Sequence, residues 1–350
     1  MKKYNVIDLF AGCGGLSYGF MKAGFDVVLG IDNWKDSLDT FSKNHPGAKT
    51  HLADLAKVRP VEITKKYGIT PGQIDVIIGG PPCQGFSISG KRKVEDPRNG
   101  LYKSFVEFVG HFKPNAFVLE NVPNLTAMGG GLIKDKIIND FEKIGYKVVY
   151  KILRASDYGV PQNRRRVIFV GLKNGNTFTY PEPTFGINNI PFNTSYDALS
   201  DLPEHSVIDG SIYQTKPLSE YQKNIRINST GIYNHEDTKH SEQTVKIISL
   251  VPDGGNYKNL PPEYQNKRNV HIAWTRINSI KPSITIDTGH RHHFHYKFNR
   301  VPTVRESARL QSFPDTFIFS GSKTSQYKQV GNAVPPILAE AIGVQLLKYL

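Results

Sequence analysis

Gly79-Gly80-Pro81-Pro82-Cys83-Gln84-Gly85-Phe86-Ser87 sets one cysteine on a proline turn directly after the apolar run Val76-Ile77-Ile78. Pro81 and Pro82 fix φ and carry no backbone donor, and the flanking glycines let backbone and ligand approach closely. Such a turn presents a thiol to a pocket as a nucleophile rather than packing it into a core. Glu120, in Glu120-Asn121-Val122-Pro123, ends the apolar run Phe117-Val118-Leu119. Carboxylates are rarely buried without a partner, so Glu120 reads either as an acid or base beside a ligand crevice or as a charge at a helix N-terminus. Gln162-Asn163-Arg164-Arg165-Arg166 precedes the apolar run Val167-Ile168-Phe169-Val170. Strand alternation predicts Gln162, Arg164 and Arg166 on one face. Two guanidiniums there either converge on developing negative charge or line a solvated basic edge.

A second constellation is Asp8-Leu9-Phe10-Ala11-Gly12-Cys13-Gly14-Gly15-Leu16, a strand, a Gly-rich turn and a helix start. A dinucleotide phosphate site is one reading of such a turn. The spacing is not G-x-G-x-x-G, and Asp8 just before the turn favours a cationic ligand over pyrophosphate. Asp32 stands at the end of the next strand, where a carboxylate can accept ribose hydroxyls, and Trp34 is placed to stack on adenine. A helix cap and a satellite core residue are the alternatives. Asp54, after Leu52, is a further candidate for the adenine amino group.

These groups need a frame. Val6–Phe10, Val27–Ile31, Ile74–Ile78 and Ala116–Leu119 read as strands, with helical patterns at Leu16–Ala23, Leu101–Phe112 and Ile133–Ile144. That alternation predicts a doubly wound α/β fold with a mostly parallel sheet. Val148–Leu153 and Val167–Gly171 read as an antiparallel pair at its end. Ligands then bind at the carboxyl ends of the strands, where Gly12, Asp32, Cys83 and Glu120 fall. After Gly171 the texture turns to Asn, Ser, Thr, Tyr, Pro and His, while Pro335–Leu350 is again an apolar helix. The expected division is 1–175 plus 325–350 for the larger domain and 176–324 for a second, smaller one.

With 350 residues, 39% of them hydrophobic, the chain can bury a substantial core. The net charge of +13 points to an anionic partner, and residues 85–175 carry 16 basic against 8 acidic side chains, so the excess gathers after Cys83. No run approaches the roughly 18 apolar residues of a membrane span. Met1-Lys2-Lys3-Tyr4 leads into a strand rather than a secretion signal. Cys13 and Cys83 form no disulfide framework, so a cytoplasmic, reduced setting is expected. His290, His292, His293 and His295 lie near no cysteine and lack a helical i, i+4 pair, so no metal is expected there.

Together with Arg300-Val301-Pro302-Thr303-Val304-Arg305-Glu306-Ser307-Ala308-Arg309-Leu310-Gln311-Ser312-Phe313-Pro314-Asp315 and Gln329-Val330-Gly331-Asn332-Ala333-Val334-Pro335-Pro336, these motifs in this order resemble those of the DNA (cytosine-5) methyltransferases of bacterial restriction-modification systems. The resemblance covers residues 4–172 and about 270–350. It implies an S-adenosylmethionine-dependent methyltransferase fold with a target-recognition domain, double-stranded DNA as partner, and a cognate restriction endonuclease as a functional partner. A monomer in the bacterial cytoplasm or nucleoid is expected.

By position, Cys83 resembles the nucleophile that adds to C6 of a flipped cytosine, Glu120 the carboxyl at N3, and Arg164 and Arg166 the arginines that orient base and thiol. Phe10, Gly12, Gly14, Gly15, Asp32, Trp34, Asp54, Pro81, Asn332 and Val334 correspond to the cofactor pocket. Gln84, Ser87, Lys91, Arg92, Gln162, Asn234 and Arg276 are the expected DNA contacts, with Gly85 to Lys93 a loop that closes over DNA. An RNA cytosine-5 methyltransferase of the same lineage would share every catalytic motif; the sizeable variable region favours DNA. A nicotinamide-dependent oxidoreductase would share only the Gly-rich turn, and a non-catalytic DNA-binding regulator would have no use for Cys83, Glu120 and Arg164.

Overall fold

The computed structural model describes residues 3–82, 100–265, 274–289 and 293–350. Internal contacts divide the chain into two compact units, Met1–Arg154 with Arg165–Glu182 and Leu338–Leu350, and Ala155–Arg164 with Pro183–Ile337. The boundaries expected near 175 and 325 therefore shift to Glu182 and Leu338, and 155–164 falls to the second unit. Local bonds explain both shifts. The Tyr180 hydroxyl lies 3.1 Å and 2.7 Å from the carbonyl oxygens of Val149 and Ile168, which keeps 176–182 with the first unit. The Gln311 amide donates to the carbonyls of Val330 and Ala333, which keeps that stretch with the second.

The first unit is a seven-stranded sheet. Its strands are β1 (Asn5–Leu9), β2 (Asp26–Asp32), β3 (Lys49–Leu52), β4 (Val76–Gly79), β5 (Ala116–Asn121), β6 (Lys147–Arg154) and β7 (Arg165–Leu172), in the order β3-β2-β1-β4-β5-β7-β6. β1 to β5 run parallel, while β7 is antiparallel to both β5 and β6. Helices α1 (Gly15–Lys22), α2 (Lys35–Asn44), α3 (Pro60–Tyr67), α4 (Gly100–Phe112) and α5 (Leu132–Glu142) connect the strands. This is the doubly wound α/β sheet with the antiparallel pair at its end. The half-exposed, polar β3 carries no apolar run to announce it.

Phe105, Phe108 and Phe112 of α4 pack with Phe117 and Phe141 in one buried cluster. Phe117 stacks on Phe141 with centroids 3.9 Å apart, and across the sheet it pairs with Gly171. A Cβ at Gly171 would stand 2.0 Å from Phe117 Cε1, so the glycine makes room for the ring.

The second unit has little regular structure: α6 (Ser195–Leu199), α7 (Glu220–Ile225), α8 (Glu242–Ser249), α9 (Pro262–Gln265), the two-residue strands β8 (Thr275–Arg276) and β9 (His293–Phe294), α10 (Val304–Leu310) and α11 (Lys323–Asn332). Every residue of α10 is buried, and a capping box of Thr303 and Glu306 starts it. α12 (Pro336–Leu346) carries the chain back to the first unit, where Gly343 sits against Ala23 and Phe25. Lys323–Tyr349 is long and apolar enough in composition to cross a membrane, which single apolar runs did not reveal; 56% of its apolar window is buried, and Ala333-Val334-Pro335 interrupts the helix.

Gly171→Ala should overpack the sheet against Phe117 and cost about 1–3 kcal/mol. Thermal unfolding measures it; an unchanged midpoint would show that the ring is free to move aside.

Candidate active site

The carboxyl ends of β4 and β5 bring three of the singled-out residues together. Glu120 is 8% exposed, and its Oε1 accepts from Arg166 Nε at 2.7 Å. Arg166 also donates to its own neighbour, the Arg165 carbonyl, at 2.8 Å. A pair this little exposed is screened far less than a surface ion pair. The guanidinium fixes where one carboxylate oxygen points.

The other oxygen lies against the backbone of the proline turn, for a Cβ at Gly80 would meet Glu120 Oε2 at 2.8 Å. Next along β5, Asn121 Nδ2 donates to the Pro81 carbonyl at 2.8 Å, and Asn121 Oδ1 accepts from Val122 N. The turn that leads into Cys83 is thus tied to the strand that carries Glu120. Gly80 and Asn121 escaped sequence reading as positioning groups, although Asn121 directly follows Glu120. Cys83, Gln84, Ser87, Lys91 and Arg92, with the expected closing loop, lie outside the described residues.

At the ends of β1 and β2 the Gly-rich turn is held by Asp32. Its Oδ2 accepts from Gly12 N at 2.8 Å and its Oδ1 from Trp34 N at 2.9 Å. Burial raises the Asp32 carboxyl above its usual range, against the pull of the Gly12, Trp34 and Asn33 amides. A carboxylate has about four acceptor positions, and the Gly12, Trp34 and Asn33 amides take up most of them.

Phe10 adopts a left-handed φ of 59°, rare for a bulky residue. Gly12 and Gly14 also have positive φ; no described atom lies within 4 Å of a Cβ built at Gly12. The turn is open at Gly12, while Gly12 N is given to Asp32 and Gly14 N to the Ala11 carbonyl. Asp54 caps its own turn through Ala56 N at 3.0 Å, and Pro81 is buried. Asp8 is 1% exposed, and burial pushes its carboxyl up to about 8, which weakens the case for a fixed negative charge beside a cationic ligand.

Four of the singled-out residues make hydrogen bonds within the second unit. The Gln162 amide donates to the Leu310 carbonyl and Gln311 Oε1 and accepts from Ile286 N. Asn234, at a left-handed φ of 58°, brackets the Phe319 backbone. Arg276 donates to the carbonyls of Ile248, Val251 and His295. All three are buried.

Arg164, 1% exposed, donates to the Ile286 and Gly331 carbonyls at 3.2 and 2.7 Å. β7 begins only at Arg165, so strand alternation does not reach Gln162 and Arg164. Asn332 is exposed and Val334 buried in this unit. His295 Nδ1 accepts from Lys297 N and Phe298 N, and burial lowers its pKa to about 4. Among the described residues no group of three His, Cys, Asp or Glu could hold a metal; His290 and His292 lie outside them.

A family model described as C-5 cytosine-specific DNA methylase matches residues 4–348. The chain is 38% identical to the type II methyltransferase M.DdeI of Desulfomicrobium norvegicum, over 99% of this chain and 89% of that one. It is 39% identical to M1.HphI of Haemophilus parahaemolyticus, another type II methyltransferase, over 98% and 86%. A crystal structure described as a DNA modification methyltransferase encoded within a prophage of E. coli superposes with a TM-score of 0.81 at 28% identity, covering 99% of each chain.

Gly80→Ala should collide with Glu120 and destabilise by about 1–3 kcal/mol. In Glu120→Ala the same change should cost far less, a coupling that unfolding measurements on the double-mutant cycle detect. Additive costs would show that the carboxylate does not rest on Gly80.

Proposed function

Because the chain belongs to the C-5 cytosine-specific DNA methylase family, we propose that it extrudes a target cytosine from duplex DNA, attaches Cys83 to C6, and methylates C5 with S-adenosylmethionine as donor. A cytosine in a duplex hides C5 and C6 in the stack, so extrusion is a physical requirement. The observation that carries the reading is the Glu120–Arg166 pair, tied through Gly80 and Asn121 to the turn that runs into Cys83.

A thiolate is soft, strongly nucleophilic and a good leaving group, so an adduct at C6 both forms and breaks. As it adds, the ring gains electron density, and Glu120 favours the proton that neutralises it at N3. Arg166 keeps the carboxylate directed at the base edge. Addition makes C5 nucleophilic; afterwards the C5 proton leaves to a base, the C6–S bond breaks and its electron pair returns to Cys83. Asp32 and the turn of Gly12, Gly14 and Gly15 would hold the donor through its ribose and backbone-facing edges, with Trp34 beside the adenine. When bound there, S-adenosylmethionine supplies an electrophilic methyl group on a sulfonium.

The two named relatives are type II methyltransferases, which supports a role in protecting host DNA from a cognate nuclease. In this reading the enzyme acts as a monomer, with the nuclease a functional rather than a bound partner.

Cys83→Ala should lower methyl transfer to duplex DNA by about a thousandfold or more, while specific DNA binding persists. Duplex carrying 5-fluorocytosine should form a covalent complex with the active enzyme, since fluorine cannot leave as a proton. Turnover retained by Cys83→Ala, or an active enzyme that traps nothing, would overturn the mechanism. Glu120→Gln should cost about a hundredfold to ten-thousandfold in the rate of methyl transfer, and an unchanged rate would remove Glu120 from the chemistry.

A further inference from the structure

The last two strands of the first unit carry positive charge that the proposed chemistry does not use. Residues 147–173, which hold β6 and β7, contain seven Lys or Arg against a single acid, Asp157, a net +6 of the chain's +13. Arg164 and Arg166 are engaged by the bonds described above. The other five, Lys147, Lys151, Arg154, Arg165 and Lys173, are exposed.

Nearby acids do not neutralise this edge. On α2 the exposed Lys35 pairs with Asp39, and on α7 Lys223 pairs with Glu220. Among the described residues no such partner, and no hydrogen bond, engages the side chains of Lys151 or Arg165. Helix α5 packs on β6, yet its acids are spent or remote. Asp135 is taken by Lys134, Asp140 accepts from the Tyr102 hydroxyl at 2.9 Å, and Glu142 ends the helix. Uncancelled charge gathered on one surface attracts an anionic partner.

The ladder fixes where that charge stands. Glu120 of β5 pairs with Ile168 of β7, and Ile168 pairs in turn with Lys151 of β6. Side chains in one such row share a face of the sheet, and with strands about 4.8 Å apart Lys151 lies about 10 Å across that face from Glu120. The Glu120–Arg166 ion pair obeys the same alternation, since Arg166 is two residues from Ile168. Arg165 opens β7 opposite Arg154, at the end of the sheet where Glu120 lies.

Charge on an edge strand also guards against pairing with a foreign sheet. That role suits β6, which is an edge, but not β7, which is paired on both sides and still exposes Arg165. A cytosine held at Glu120 stays covalently joined to the phosphates on either side of it, so those phosphates lie close to the same end of the sheet. Arg and Lys are the side chains suited to such oxygens, Arg through its fork and Lys as a point charge.

We propose that Lys151 and Arg165 grip the phosphate backbone of duplex DNA beside the extruded nucleotide, without reading its sequence. The inference rests on the DNA methylation reading above and adds where the backbone runs. Phosphate contacts position a duplex and carry its salt dependence.

The test compares the wild type with Lys151→Gln, Arg165→Gln and the double variant. One measurement is the dissociation constant for a short duplex of arbitrary sequence across a range of salt concentrations; the other is methyl transfer to unmethylated plasmid DNA. Each single change should reduce the slope of log affinity against log salt by about 0.9 and the double change by about 1.8, which at about 0.1 M salt is about eightfold weaker binding per contact. KM for the plasmid should rise with the dissociation constant, while kcat changes much less. Lys49→Gln removes the same charge from β3, the opposite edge strand, and should keep the wild-type slope. An unchanged slope in the double variant, or an equal drop in Lys49→Gln, would overturn the grip. Self-association of Lys151→Gln at an unchanged slope would make Lys151 an edge guard instead. Losses confined to transfer RNA, with duplex DNA unaffected, would also overturn the proposal. If the double variant loses slope on duplex DNA while the wild type methylates no cytosine, the methylation reading fails and the phosphate grip stands.

Discussion

Backbone N–H and C=O groups shut away from water must find partners, and the two units meet that demand by different means. In the first, strand ladders do it from β3 across to β6. In the second, regular elements are too short, and side-chain donors take over. Arg305 donates to the carbonyls of Tyr233, Pro314 and Phe317, and Arg276 and Arg164 serve other carbonyls in the same way. These cations are held by burial among dipoles or by acids: Arg309 joins Asp201 and Asp315, and Arg300 grips Glu306 with two bonds. Although burial opposes it, the attraction of His295 and Arg300 keeps the Glu306 carboxyl well below the usual range. Removing one partner from such a pair typically costs about 3–5 kcal/mol, because the other is left uncompensated.

The same constraint shapes the site. At Gly80 and Gly14 the missing side chain is what allows a carboxylate or an imidazole to touch backbone. Asn121 and Asp32 then use amide and carboxylate groups to lock the two turns to neighbouring strands. Both turns are tied down by the side chains behind them.

Much of this was legible in the residues. Apolar runs such as Val76–Ile78 and Phe117–Leu119 mark central strands because they are buried on both faces, and Glu120 stands out as a charge at the end of one. The β6–β7 pair was legible for the same reason. What stayed hidden depends on contacts far apart in the chain. Gln162, Asn234 and Arg276 are polar residues in loop-rich sequence and read naturally as surface contacts; only the fold shows that they turn inward to carbonyls as distant as Leu310 and Phe319. Ser17 and His45 are 28 residues apart, and nothing in the spacing pairs them. The burial of Asp8 was hidden because depth within a sheet is invisible in a single strand.

The strands β6 and β7 belong to the first unit, yet the ten residues from Ala155 to Arg164 that join them are counted with the second. In that stretch Asn163 N donates to the Ser283 carbonyl and Gly159 packs under Phe185. The second unit is therefore not one continuous insert. A chimera that exchanged only 183–337 with a relative would leave a foreign hairpin tip among the grafted loops, so 155–164 has to travel with them.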